Sequence, residues 1–135
     1  MAELTHPIRE AERYLQNAKT ILSEKAEKEG AYYNDSKYVK IAGHTAWCGV
    51  LVALDAVLNV KEKLKKTQTP EFRDYQTALA KKDTKMTRPL LNAYELLHKA
   101  LGYDGVTRYN VVQESLGIAK DIIIWADKHY TSASN

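Results

Sequence analysis

The sequence predicts an all-α fold: an up-and-down bundle of four long helices and one short helix, five helices in all. Three observations carry this prediction. Apolar residues recur at alternating spacings of three and four along most of the 135-residue chain. With 6 Gly and 3 Pro, the chain has too few turn formers for a fold rich in tight turns. No segment sustains the alternation of a half-buried strand.

The first helix opens at Pro7, a residue suited to a first helical turn, and lines up Ile8, Ala11, Leu15, Ala18 and Leu22 on one face. Gly30 is expected to end it. Asp35 or Ser36 caps the second helix, which is predicted to run to about Lys66. Thr69-Pro70 opens a short third helix with Phe72, Tyr75 and Leu79. A weaker break follows at Asp83-Thr84. The fourth helix carries Met86, Leu90, Ala93, Leu97 and Ala100 and stops at Gly102. The fifth starts near Thr107 and carries Tyr109, Val112, Leu116, Ala119, Ile123, Ala126 and Tyr130. Its Val and Ile content would also suit strands, but the sustained helical spacing outweighs propensity. The polar "TSASN" reads as a flexible tail, and residues 1–135 as a single domain.

The second helix is the least polar. Within "KYVKIAGHTAWCGVLVALDAVLNV", Ala42, Ala46, Gly49, Ala53 and Ala56 form a stripe of small side chains. Trp47, Leu51, Leu54 and Leu58 form a second stripe, and Val50 and Val57 fill the gap. Two apolar faces require neighbours on two sides, which places this helix at the bundle centre. Trp47, Leu51, Ala53, Leu54, Leu97, Leu116 and Ile123 are expected in the core. Thr45, Cys48, Asp55 and Asn59 fall on the polar margin. Residues 41–60 are long enough to cross a membrane, but they include His44, Thr45, Asp55 and Asn59. A central aspartate costs about 2.5–3.5 kcal/mol on insertion, so the segment reads as a buried soluble helix with no membrane partner. The start "MAELTHPIREAERYL" has no apolar run of the signal-peptide kind. Cys48 is the lone cysteine, which excludes an intrachain disulfide and fits a cytoplasmic protein.

The polar residues form no recognisable catalytic set. His44 and Asp55 are eleven residues apart, roughly 16 Å along a helix, and cannot touch. His44 and Cys48 stand one turn apart, but a Cys–His nucleophile also needs an orienting group and an oxyanion site. His6, His98 and His129 are scattered, with no HExxH or CxxC pattern. There is no Gly-rich phosphate loop and no GxSxG. No catalytic residue, metal ligand or cofactor is expected.

Charge and tyrosine are unevenly spread. From Lys61 to Arg88 there are nine basic and four acidic residues, a local charge of +5. The chain as a whole carries +3, too little to argue for nucleic acid by itself. Lys61, Lys63, Lys65, Lys66, Lys81, Lys82, Lys85 and Arg88 are the candidate basic patch. "KEKLKK" is expected at the end of the second helix, where lysines complement the helix dipole. No aromatic interleaves these lysines, which weighs against single-stranded nucleic acid. Nine of the twelve aromatics are Tyr. Tyr32, Tyr33 and Tyr38 flank one turn and Tyr103 and Tyr109 another, so antiparallel pairing would gather them at one end of the bundle. Tyr suits half-wet surfaces, which makes this end a candidate partner surface. Trp125 joins it as a candidate anchor of a weak or moderate homodimer. It lies on a second apolar line with Ile118 and Ile122 that either completes the core or faces a partner.

The helix order, and "YVKIAGHTAWCGVLVALDAVL" as the second helix, resemble HEPN-type helical bundles. They look still more like a small bacterial family of uncharacterised HEPN-like domains. The resemblance implies the bundle fold, frequent dimerisation, and either RNase activity in toxin systems or partnership with nucleotidyltransferase-fold proteins. The nuclease members carry an Arg with a His a few residues further on. Here the matching segment is "RYNVVQESL": Arg108 is present, Tyr109 follows, and no histidine occurs before His129. The resemblance thus argues against that catalysis. Two functions follow as expectations. The first is a non-catalytic protein-interaction module, binding itself or a nucleotidyltransferase-type or toxin–antitoxin partner. The alternative is an RNA-binding or RNA-processing protein that uses the basic 61–88 segment.

Overall fold

The computed structural model describes residues 6–133. Five α-helices form the body: α1 (Pro7–Ile21), α2 (Ser36–Leu58), α3 (Phe72–Lys82), α4 (Thr87–Ala93) and α5 (Tyr109–Ala133). The bundle is all-α, as its periodicity predicts. Two of the helices change winding. α1 continues as a π-helical turn, Leu22–Ala26, and α4 continues as a π-helical segment, Tyr94–Tyr103. Short 3-10 turns, Lys61–Lys63 and Thr84–Met86, flank α3.

α2 is the centre. It packs against α1 on one side, α5 on another, and the π-helical continuation of α4 on a third. Ala42, Ala46, Gly49 and Ala53 are buried, as the small-residue stripe predicts, whereas Ala56 at its end is half-buried. A Cβ built on Gly49 would lie 2.9 Å from the Tyr14 Cβ and 3.0 Å from the Ala11 carbonyl oxygen. At Gly43 it would lie 2.6 Å from the Leu101 Cβ. Both positions let a neighbouring backbone approach more closely than any side chain permits. α2 is apolar and long enough to cross a membrane by composition, yet 56% of its most apolar window is buried inside the bundle. Trp47, Ala53, Leu54, Leu97, Leu116 and Ile123 lie in the core as expected, whereas Leu51 is half-buried.

Several boundaries differ from the expectation. α1 ends before Gly30 because residues 28–33 fold back as a two-stranded antiparallel hairpin, β1 (Lys28–Glu29) and β2 (Tyr32–Tyr33). Glu27, at φ 54°, turns the chain out of the helix. α2 stops at Leu58, well short of Lys66. Asn59 takes a left-handed conformation, φ 54° and ψ 40°, and its N–H bonds back to the Asp55 carbonyl. Asparagine tolerates that conformation better than most residues, so it acts here as a stop signal. "KEKLKK" therefore lies beyond the helix, and the last turn of α2 holds no basic residue. The helix-dipole account of these lysines fails.

Asp35 caps α2 through its carboxylate, which accepts from the Lys37 N–H at 3.0 Å. α3 starts one turn later than Thr69, with a capping box in which Glu71 and Asp74 exchange side-chain and backbone bonds. Pro89 falls at the third position of α4, where a missing N–H has no helical partner to lose. α5 runs on to Ala133, so part of the expected "TSASN" tail is helical; its last two residues lie outside the described residues.

Candidate functional site

At the end of the bundle where α2 begins, Tyr32, Tyr33 and Tyr109 are bound into the fold. Two backbone bonds, which together make a β-bridge, tie the hairpin to the α4–α5 connection. Tyr33 N–H donates to the Thr107 carbonyl at 2.8 Å and Tyr109 N–H donates to the Ala31 carbonyl at 2.8 Å, which pairs Tyr32 with Arg108. Arg108 donates to the Tyr32 hydroxyl at 3.1 Å, with its guanidinium carbon 5.3 Å from that ring's centre. Tyr33 is buried, 5.6 Å from Tyr109 ring to ring, and accepts from Gln113 Nε2 at 3.1 Å. Tyr38 is half-buried beside Lys37. Of the five candidate tyrosines, Tyr32 and Tyr103 are the ones substantially exposed, at 47% and 78%. Arg108, the residue matching the nuclease motif, is held against a tyrosine.

Trp125 is not available as an anchor. Its own chain buries it, its indole N–H donates to Asp83 Oδ2 at 2.9 Å, and its ring stacks on His129 at 4.3 Å. The bond to Trp125 is the main reason the Asp83 carboxyl is held below its usual range. Ile122 is fully buried beside it. The second apolar line of α5 completes the core, and the polar end of the indole explains why a tryptophan is needed there: it staples α5 to the α3–α4 turn.

A band of rings lines the α2–α4 seam. Phe72 and Tyr94 stack with centroids 4.1 Å apart, His98 stacks on Tyr94 at 5.2 Å, and Trp47 leans on all three. His44 meets the ring of His98 at 5.8 Å. Burial, then the neighbouring His44 and Lys99, hold His98 below the usual histidine range. On the next turns of α2, Asp55 accepts from the Tyr75 hydroxyl at 3.0 Å and lies 3.7 Å from Lys61 Nζ. Burial first, and the carboxylate second, push the Tyr75 hydroxyl well above its ordinary range. The Asp55–Tyr75 bond and the Trp47–Phe72 contact join α2 to α3. Cys48 is exposed on the margin.

The cavity with the most distinctive chemistry lies at the opposite end of α2. A groove of about 550 Å³ runs between the 58–64 segment and α3. Its apolar lining comes from Leu58, Val60, Leu64 and Ala78, and its rim holds Lys63, Arg73, Lys81 and Lys82. The one carboxylate in its lining, Asp74, is committed to the Glu71 N–H at 2.8 Å. Among the described residues, none of the four rim cations has a carboxylate within ion-pair distance. The structure thus brings together Lys63, Lys81 and Lys82 of the expected patch and adds Arg73. Lys61 is drawn off to Asp55, and Lys65, Lys66, Lys85 and Arg88 stand exposed outside the groove. Arg73 lies inside the basic run but between Glu71 and Asp74, so local charge hides it. Its i, i+4, i+8 relation to Thr77 and Lys81 along α3 is the signal that places it on the groove face.

What fold and groove define is a small all-α bundle with a basic, apolar-floored cleft. The chain belongs to the family described as "Domain of unknown function (DUF5618)", which it matches over residues 6–128. It is also similar to a solved structure, a protein of unknown function from Dyadobacter fermentans. The two are 41% identical, with a TM-score of 0.80, over 90% of this chain and 93% of that one. No curated protein matches. Neither comparison links the chain to the HEPN class.

Proposed function

We propose that this protein is a non-catalytic interaction module whose groove between residues 58–64 and α3 docks an acidic, amphipathic segment of a partner protein. The observation that carries this reading is the pairing of an apolar floor with four cations that have no carboxylate within ion-pair distance among the described residues. Apolar side chains of a partner segment fill the floor, and its carboxylates meet Lys63, Arg73, Lys81 and Lys82. Apolar contact gives affinity, while the charges give orientation and association rate. A phosphate backbone would use the cations but leave Leu58, Val60 and Leu64 unmatched, so the apolar floor favours protein over RNA. The partner-binding habit that the HEPN-like resemblance implies supports this reading, and the missing Arg–His motif supports proposing a non-catalytic module.

Titration calorimetry with a synthetic acidic amphipathic helical peptide and with generic single-stranded RNA tests this. The peptide is expected to bind, and the double variant Lys81→Glu/Lys82→Glu to weaken it by at least about tenfold, or ~1.4 kcal/mol. Binding of RNA alone, with a steep fall as salt rises, would replace this reading with the nucleic-acid one. Sedimentation at micromolar concentration is the companion control, because a homodimer closed through the groove would compete with the peptide.

A further inference from the structure

A second cavity, of about 430 Å³, sits at the tyrosine-rich end beside the π-helical turn Leu22–Ala26. Its size falls within the range of small-molecule pockets. Leu22 and Leu116, both buried, give it an apolar back wall. Lys19, Lys28, Tyr33 and Gln113 supply the polar groups, and no carboxylate lines it. Each polar group has donating capacity left. The Tyr33 oxygen accepts from Gln113, so its own O–H remains to donate. Gln113 uses one amide hydrogen in that bond and keeps the other. Lys28 is held with its ammonium 4.7 Å from the Tyr109 ring centre. Ser23 also lines the cavity, but its hydroxyl donates to the Thr20 carbonyl at 3.2 Å, which leaves only its oxygen as an acceptor.

From this arrangement we infer that the cavity is a binding site for a small organic anion. The phosphate or carboxylate head lies between Lys19 and Lys28 within reach of the Tyr33 hydroxyl and the Gln113 amide. The apolar body rests against Leu22 and Leu116. Two cations and two neutral donors with no competing carboxylate complement an anion and repel a cation. The Tyr33 phenol is a neutral donor at physiological pH, and burial moves its pKa further upward. The local backbone agrees. A π-helical turn forms one wall, and Glu27 just after it sits at φ 54°, the kind of irregular winding and strain that collects at ligand sites.

The test is an amide NMR titration of the intact protein with phenyl phosphate, benzoate, inorganic phosphate and phenol. Phenyl phosphate or benzoate is expected to shift the amides of residues 19–33 and 109–116, with a Kd of about 0.1–1 mM. Phenol, lacking charge, and inorganic phosphate, lacking an apolar body, bind more weakly. Lys19→Gln/Lys28→Gln removes two exposed charges without touching the core and should weaken the aryl anion by about tenfold or more. Lys81→Glu/Lys82→Glu, at the other end, should leave it unchanged. A stronger response to phosphate than to benzoate names the head group. The proposal fails if neither aryl anion shifts these amides up to roughly 10 mM. It also fails if Lys19→Gln/Lys28→Gln leaves the affinity as it was, or if the shifts map to the α3 groove.

Discussion

The two ends of α2 are built on opposite principles. Where the helix begins, the chain crosses itself repeatedly. The hairpin, the Tyr32–Arg108 bridge and a 2.9 Å bond from the Ser36 hydroxyl to the Gly105 carbonyl tie distant segments together. Where the helix ends, Asn59 releases the chain into an exposed lysine-rich connection, and among the described residues the cations around the groove have no carboxylate within ion-pair distance. The backbone groups that cross at the first end are spent on the fold, and its unused side-chain donors are confined to the small cavity beside the hairpin. At the second end the cations are left over, and unspent charge over an apolar floor is what a docking surface requires.

Between the ends, the ring band around Trp47 should carry the largest effect. Trp47→Ala deletes a buried side chain packed on Phe72, Tyr94 and His98 and should cost about 3–5 kcal/mol in denaturant unfolding. A variant as stable as the parent would show that the seam packs otherwise than described. At the closed end, Tyr33→Phe removes the bond from Gln113 and should cost about 0.5–1.5 kcal/mol. No measurable loss would mean that this end is held by its backbone bonds alone.

A smaller effect is expected from pH. His98 has a folded-state pKa below its ordinary value, chiefly from burial, so the folded protein favours the neutral ring. Above about pH 6.5 neither state binds the proton and the stability is fully present. As pH falls through that value the unfolded chain protonates first, and stability declines until the folded pKa is passed. His98→Phe keeps the ring packing and should flatten this decline, as read from thermal melts between neutral and mildly acidic pH. An unchanged profile would assign the dependence to another group.

Much of the fold was legible because packing leaves a period. The stripes on α2 announced its central place, and Pro7, Asp35 and Gly102 fall at or within a residue or two of real boundaries. What hid from the sequence was local backbone choice. Asn59 stops α2 early although the sequence beyond it would continue a helix. Two helices widen into π turns, which no side-chain spacing signals, and the Lys28–Tyr33 hairpin is too short to show alternation. Trp125 was ambiguous for a different reason. An apolar line at helical spacing looks the same whether it meets the chain's own core or a partner, and only the position of Asp83 decides it. The groove was half visible: charge counting found its lysines, but Arg73 and the apolar floor come together only through the turn at Asn59.

The most direct test is photo-crosslinking of the intact protein with an acidic amphipathic peptide carrying a benzophenone on its apolar face, with adducts mapped by mass spectrometry. Adducts concentrated in residues 57–64 and 73–82, and lost in Lys81→Glu/Lys82→Glu, are the predicted result. Adducts at the tyrosine-rich end, or adducts in the groove that survive the charge reversal, would contradict the assignment of the open end of α2 as the docking surface.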